Sequence, residues 1–164
     1  TANTQATKAA QMAGIATEAV DVLDAMINNA SPTLRQQSDQ IIYVTQSFAD
    51  GLEAQLLKTY YGSELHWTAL FNGIRETSYR GIRLRVLPQF DEIIQGYEGT
   101  ATAFNLPHRA IYTTERNLAL GVNGFDEFAT LDIFFDQTTR LNHIYATDQM
   151  GAMVIDSNMF VAAY

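Results

Sequence analysis

The chain has 164 residues, enough for one domain with a sizeable core or for a compact pair of subdomains that share one. Its net charge of -8 argues against binding to nucleic-acid phosphates, which requires clustered lysine and arginine. The absence of cysteine excludes disulfides, thiol catalysis and cysteine-ligated metals, and no segment is apolar over a length that could span a membrane. Charged residues make up only 17% of the chain, which suggests that neighbouring molecules cover part of its surface.

The first half of the chain alternates helical and strand patterns. Apolar residues at three- and four-residue steps predict a long helix over residues 5–28, with an acidic face opposite. Ser31 and Pro32 then mark the start of a short helical turn. The β-branched run 41–45 predicts a buried strand, and Ser47 is predicted to cap a second helix over residues 48–60.

The middle of the chain is more irregular. Apolar and basic residues alternate over 81–88, which predicts a half-buried strand, and a short helical turn is predicted at 91–95. Residues 96–107 have no periodicity and two glycines, so we interpret them as a loop that carries Tyr97 and Phe104. A strand over 110–114 and a short helix over 115–120 follow.

The C-terminal third has strand patterns throughout. Strands are predicted over 130–136, 141–147, 152–155 and 159–163, and the short connections between them indicate antiparallel hairpins. Because helices and strands are partly segregated along the chain, the predicted fold class is α+β.

No sequence motif for catalysis or cofactor binding is present. The chain has no GxSxG elbow, no phosphate-binding loop and no GxGxxG sequence. The three histidines, His66, His108 and His143, have no partner at ligand spacing, so we predict no metal site. Asp132 and Asp136 share a strand face, where paired carboxylates could do acid–base work or bind a cation, but we interpret them as solvent-side or turn-capping residues.

Two further clusters have a structural and a functional interpretation. The strand arginines Arg75, Arg80, Arg83 and Arg85 are interrupted by apolar residues, so we predict salt links and not a phosphate-binding stripe. The aromatic residues at 60–61 and 66–67 could stack a sugar or a base, but we predict that they pack in the core beside Phe71.

The order of these elements matches a known pattern. The segments that carry the match are the helix 5–28, Pro32-Thr33-Leu34-Arg35, the strand 41–45, Phe48-Ala49-Asp50-Gly51-Leu52, the glycine–strand–proline pattern of 79–88, the strand 110–114 with Asn117-Leu118-Ala119-Leu120-Gly121, and a closing hairpin over 155–164. In this order they resemble the Hong Kong 97-type major capsid protein of tailed bacteriophages and prophages, a fold that encapsulins share.

The resemblance implies a particular architecture. A long spine helix would pack on the antiparallel sheet of a peripheral-type subdomain, formed by residues 1–30 and 122–164. Residues 31–121 would form a small mixed α/β axial-type subdomain. Nothing before Thr1 corresponds to the family's N-terminal arm or extended loop, so the resemblance implies a C-terminal portion that does not build closed shells alone.

The resemblance also implies a function. The chain would be a structural subunit of an icosahedral capsid shell that assembles laterally with copies of itself and other capsid subunits. It would have no catalytic activity, cofactor, metal, membrane association or sequence-specific nucleic-acid binding. Its location would be the virion, and the host cytoplasm during assembly. The candidate subunit-contact residues are Tyr97 and Phe104 on the 96–107 loop.

Two alternative functions stay open. The first is a small ligand-binding or host-interaction module that uses the 96–107 loop and the aromatic cluster. The second is an enzyme whose site is assembled from distant residues such as Asp132, Asp136 and His143.

Overall fold

The structure, a computed structural model, divides into two compact units. It describes residue 5 and residues 7–59, 68–70, 74–98, 108–122, 130–147 and 150–163. The larger unit comprises Thr1–Glu115 and Asp156–Tyr164, and the smaller unit comprises Arg116–Ile155. Helices and mostly antiparallel strands are both present, which confirms the predicted α+β class. The division into residues 1–30 with 122–164 and residues 31–121 stays a prediction.

Four helices lie in the larger unit: α1 Lys8–Asn29, α2 Pro32–Arg35, α3 Gln46–Thr59 and α4 Gln89–Glu98. The strands of this unit are β1 Gln40–Val44, β2 Thr68–Ala69, β3 Arg75–Tyr79, β4 Ile82–Val86, β5 Ala110–Thr114 and β10 Val161–Ala163. The smaller unit contains β6 Leu118–Val122, β7 Thr130–Asp136, β8 Leu141–Thr147 and β9 Met150–Val154.

Helix α1 confirms the long helix predicted at the start of the chain. Its apolar stripe is buried, including Ile15, Leu23 and Met26, because residues at three- and four-residue steps share one face. The Thr7 hydroxyl accepts a hydrogen bond from the Ala10 amide and caps the helix. Helix α2 begins as predicted, with Ser31 as its cap and Pro32 in its first turn.

Helices α1 and α3 pack closely against each other. The side chain of Gln55 in α3 accepts from the Val20 amide at 2.8 Å and donates to the Thr17 carbonyl at 2.7 Å, both in α1. Gly51 lies against Ile15, and a Cβ at that position would overlap the isoleucine side chain. The glycine therefore sits inside α3 because only a hydrogen fits there.

The start of α3 differs from the prediction that Ser47 caps it. The helix begins at Gln46, and Thr45 is the residue whose hydroxyl accepts from the Phe48 amide, at 3.4 Å. A carboxylate oxygen of Asp91 in α4 accepts from the Gln46 amide at 2.7 Å. The other carboxylate oxygen of Asp91 accepts from the Ser47 amide at 3.4 Å, so Ser47 lies within the first turn and Thr45 caps the helix.

A six-stranded sheet forms the centre of the larger unit, in the order β10-β5-β1-β4-β3-β2. Strands β1 and β4 pair in parallel, and the other neighbours pair antiparallel. Side chains of the inner strands join the helices in one core, among them Ile42, Val44, Leu84, Val86 and Tyr112. This arrangement confirms the strands predicted over 41–45, 81–88 and 110–114.

The turn between β3 and β4 is joined to α1 by a polar contact. Arg80 and Gly81 have φ angles of 50° and 83°, which are typical of the tight type I′ hairpin turn. One carboxylate oxygen of Asp24 accepts from the Tyr79 hydroxyl at 2.8 Å and from the Arg80 guanidinium at 2.9 Å. The contact with Asp24 of α1 therefore fixes the side chain of Arg80, whose backbone lies in the left-handed region.

Three predictions in the second half of the chain were wrong. Residues 115–120 do not form a helix, because Glu115–Asn117 is a 3-10 turn and β6 follows it directly. The segment 155–164 is not a hairpin, because β10 pairs with β5 in the six-stranded sheet. Tyr97 does not lie in a loop but in the last turn of α4, which is longer than the predicted turn.

Candidate assembly surfaces

Strands β6 and β9 form an antiparallel ribbon that contains no charged or hydrogen-bonding side chain, and we call it the apolar ribbon. Each strand has five residues, with the sequences LALGV and MGAMV. Leu120 and Met153 are 66% and 65% exposed, on opposite faces. In the described part of the chain the ribbon has no third strand. Soluble monomers rarely expose a contiguous apolar surface of this kind.

Strands β7 and β8 form the hairpin predicted from the alternating pattern, and its two faces differ. Ile133 lies opposite Ile144 in the pairing register, and the two side chains are 63% and 66% exposed. Phe135 shares their face and is also exposed. A two-stranded hairpin is marginally stable alone, so the exposed isoleucine pair makes this face a candidate contact surface.

On the other face of the hairpin, His143 belongs to a small polar group. Its ring stacks on Phe134 with centroids 5.2 Å apart, and its Nε2 lies 3.9 Å from an Asp136 carboxylate oxygen. The Asp136 carboxylate accepts from the Thr138 amide and the Thr139 hydroxyl, both at 2.8 Å, and these hydrogen bonds lower its pKa. The prediction that Asp136 caps a turn is therefore confirmed. The surroundings of the Asp132 side chain lie outside what is described.

A serine–histidine pair lies in the larger unit, and its burial decides what it can do. Ser47 Oγ is 3.1 Å from His108 Nδ1, within reach for a nucleophile and its base. Both side chains are buried, and burial lowers the pKa of His108. The Ser47 hydroxyl also lies 3.4 Å from that of Thr45. Because the pair is buried and joins two segments, we interpret it as a link between α3 and the segment before β5.

The candidate contact residue Tyr97 lies beside an apolar groove. The groove has a volume of about 420 Å³ and runs between α4 and the sheet edge formed by β5 and β10. Phe90, Ile93 and Ile94 of α4 line one side. Tyr97, one turn after Ile93, is 90% exposed. The second candidate, Phe104, lies outside the described residues, as do His66 and the aromatic residues at 60–61 and 66–67.

The strand arginines form the predicted salt links. Arg75 pairs with Asp50, Arg80 with Asp24, Arg83 with Glu115, and Arg85 with both Glu76 and Glu115. Each of these guanidinium groups therefore has a carboxylate partner in the described structure. Arg35, Arg80 and Arg83 also border a recess of about 560 Å³, in which the Tyr112 hydroxyl donates to the Gln40 side chain.

The described residues include neither a metal-ligand cluster nor a membrane-spanning helix. There, no group of three or more histidine, aspartate or glutamate side chains could hold a metal ion. Within the same residues, no helix has the length and apolar character to cross a membrane.

Comparisons with known proteins find little. No protein-family model matches the sequence, and no curated protein matches it. A chain in the solved structure titled "Satellite phage P4 procapsid including size determination (Sid) protein" aligns with a TM-score of 0.44 and 14% sequence identity. The alignment covers 90% of this chain and 38% of that chain, so this chain spans well under half of its length. Such a TM-score does not establish a shared fold.

The sequence predicted the hairpin but not the apolar ribbon. Residues 118–120 were assigned to a helix, and 152–155 was assigned to a hairpin with the segment that follows. A signal was nevertheless present, since LALGV and MGAMV both lack the polar residues of an amphipathic helix.

Proposed function

We propose that this protein is a structural subunit of an icosahedral phage or prophage capsid shell. In this proposal it works by lateral self-assembly with copies of itself and other capsid subunits, in the virion and, during assembly, in the host cytoplasm. It needs no catalytic group, cofactor or metal. The order of sequence elements supports the family, and the exposed surfaces of the smaller unit support self-assembly.

The observation that carries the proposal is the apolar ribbon. Its Leu118, Leu120, Met150 and Met153 side chains are all more than 40% exposed, although none of its residues is polar. Fully burying one leucine or methionine side chain contributes about 1.5–3 kcal/mol. Several such side chains left in water favour association strongly, and a shell subunit is a protein whose neighbours cover such surfaces.

Charge sets the conditions for this association. The net charge of -8 makes like copies repel at low ionic strength. Salt screens that repulsion over distances of about 10 Å at 0.1 M, whereas the ribbon carries no charge that salt could screen. Association is therefore expected to strengthen as salt is added, and interfaces held together by ion pairs would weaken instead.

Sedimentation velocity across protein and salt concentrations tests the proposal. We expect wild-type protein to form small oligomers that grow with both variables. Leu120→Lys should weaken association at least about tenfold, or about 1.4 kcal/mol, because the ammonium group would have to be desolvated. The matched control is Leu57→Lys, which places the same charge on a half-exposed leucine of α3 and should associate like the wild type.

Two outcomes would contradict the proposal. Equal weakening by Leu57→Lys and Leu120→Lys would mean that added charge, and not the ribbon, controls association. A wild-type chain that stays monomeric at every concentration would favour the ligand-binding alternative.

A further inference from the structure

The recess near the β3–β4 turn differs in charge from the chain as a whole. Three arginines border it, Arg35, Arg80 and Arg83, and no aspartate or glutamate is among the described residues that line it. The whole chain has 10 lysine and arginine residues against 18 aspartate and glutamate residues. Three of the 10 basic residues therefore meet at one recess of a protein whose net charge is -8.

Arg35 is the arginine of this recess that has no carboxylate partner among the described residues. It is exposed at the end of α2, whereas the described salt bridges of the strand arginines lie elsewhere. Its charge acts on the recess, because burial raises the pKa of the Tyr112 hydroxyl and Arg35 lowers it. A guanidinium has five N–H donors in a planar fork that matches the oxygens of an anion. The fork of Arg35 is therefore available to a ligand.

Arg80 and Arg83 also keep donors for a ligand, although each has a carboxylate partner. Arg80 Nη1 lies 2.9 Å from an Asp24 oxygen, and Arg83 Nη2 lies 3.3 Å from a Glu115 oxygen. Each contact engages one nitrogen of a group that carries five N–H donors. Glu115 also pairs with Arg85 at 3.3 Å, so two arginines share its negative charge. The carboxylates position the two side chains without using all of their donors.

The turn itself does not favour an arginine at position 80. The φ angle of Arg80 is 50°, and the left-handed region costs a residue with a side chain about 1–2 kcal/mol. Asn, Asp and Gly are the usual residues at this position of a type I′ turn. Residues held in such strained conformations cluster at ligand-binding and active sites. The location of Arg80 at the recess gives this strain a purpose.

Hydrogen bonds hold one wall of the recess in place. The side-chain amide of Gln40 donates to the carbonyl oxygens of Arg35, at 2.9 Å, and of Gln37. The side-chain oxygen of Gln40 accepts from the hydroxyl of Tyr112, which is completely buried. These bonds connect the end of α2 to β5 within the free protein. Little further ordering would therefore oppose the binding of a ligand.

We propose that this recess binds a phosphate group. Arginine forks bind phosphate and carboxylate oxygens alike, and three of them around one recess match a multiply charged anion better than the single charge of a carboxylate. The volume of about 560 Å³ is in the range of small-molecule sites, so the recess has room for part of the molecule that carries the phosphate. Binding requires one copy of the chain and is independent of the proposed function.

Titration of the full chain with inorganic phosphate at constant ionic strength tests the site. Isothermal titration calorimetry should show saturable binding to the wild type. Arg35→Gln should weaken it at least about tenfold, because the variant loses charge-assisted hydrogen bonds but breaks no described ion pair. Arg75→Gln is the matched control, since it removes the same charge from β3 outside the recess. It should bind phosphate like the wild type.

Arg80→Asn separates binding from folding. Asparagine tolerates the left-handed region, and the ion pair that the variant loses is exposed and contributes little. Thermal unfolding should therefore occur close to the wild-type temperature, while the affinity for phosphate falls at least about fivefold. A folded Arg80→Asn variant that binds phosphate like the wild type would contradict the three-arginine site.

A DNA duplex without terminal phosphates distinguishes the two sources of the phosphate group. If the duplex displaces inorganic phosphate from the wild type, the ligand is a nucleic-acid backbone, and if it does not, the ligand is a small phosphorylated molecule. Three results would overturn the inference. They are the absence of saturable phosphate binding, equal weakening by Arg35→Gln and Arg75→Gln, and binding of acetate as tight as that of phosphate.

Discussion

In the larger unit, Ile41 and Ile42 of β1 are completely buried, whereas in the smaller unit Ile133 and Ile144 of the β7–β8 hairpin are more than 60% exposed. The same residue type occupies strands in both units. Strand β1 has neighbours on both edges and joins a core with α1 and α3, but the hairpin and the ribbon are each two strands wide. Burial therefore depends on the layers around a strand, and the described smaller unit has too few to cover its own apolar faces.

The distribution of buried apolar residues makes the same point. Among the described residues, every apolar side chain in the core belongs to the larger unit. The stability of the larger unit should therefore come from its own packing. The described strands of the smaller unit lack such a core, and in the proposed function a partner would cover them.

The largest expected effect is the difference in unfolding free energy between alanine substitutions at a buried leucine and at an exposed one. Leu23 in α1 is fully buried, so Leu23→Ala should lower the unfolding free energy by about 2–5 kcal/mol. Leu120→Ala in the ribbon should cost the dilute monomer under about 0.5 kcal/mol, as should Asp21→Ala on the exposed face of α1. Urea denaturation measures all three. Equal costs for the two leucines would mean that the ribbon is covered within the chain.

Alanine substitutions at two glycines should change the unfolding free energy by smaller amounts and in opposite directions. Gly51→Ala should destabilise the protein by about 1–3 kcal/mol, because the new methyl group overlaps Ile15 between α1 and α3. Gly96 lies in α4 with open space around it. Gly96→Ala should therefore raise the unfolding free energy by about 0.4–1 kcal/mol, because alanine lowers the conformational entropy of the unfolded chain. Thermal unfolding of both variants checks the signs. A stabilising Gly51→Ala would show that the two helices pack less closely than described.

The smallest expected effect is a pH dependence of the unfolding free energy that comes from His108 in the larger unit. Burial lowers the pKa of His108 in the folded state, so below the unfolded value of about 6.5 the unfolded chain binds the proton more readily. The unfolding free energy should therefore fall as the pH is lowered from 7 toward the folded pKa, and His108→Gln should flatten this slope. Denaturation at several pH values measures it. His143→Gln in the exposed hairpin is the control, and a slope that disappears with that change instead would place the titration in the smaller unit.

Prediction from sequence succeeded where one periodicity dominates a segment. The stripe from Ile15 to Met26 identified α1, and the alternation over β7 identified the hairpin, because both patterns are local. The contact of Asp91 with the Gln46 amide could not be predicted, since it comes from a helix 45 residues along the chain, whereas the local cap, Thr45, was misplaced by two residues. Strand β6 was missed for a similar reason, because its partner β9 begins only after the hairpin.

For the candidate surfaces, the sequence identified residues but not their exposure. Tyr97 was predicted as a contact residue on a loop, and it lies instead at the end of α4 beside the groove. The apolar residues of the ribbon look like core residues in sequence, because a pattern reports which side chains are apolar and not which neighbours exist. The groove itself is formed by α4, β5 and β10, three segments that no local pattern brings together.

By itself, the sequence determined the α+β class, the long helix and the inner strands, and it predicted that the strand arginines make salt links but not with which carboxylates. These features depend on residue spacing within a segment and on charge, which are both local properties. Only the tertiary structure decided that β10 completes the sheet beside β5, that β6 pairs with β9, and that the ribbon stays uncovered. Strand pairing and burial are set by contacts between distant segments, and the free energy of burying an apolar side chain depends on the surface that meets it.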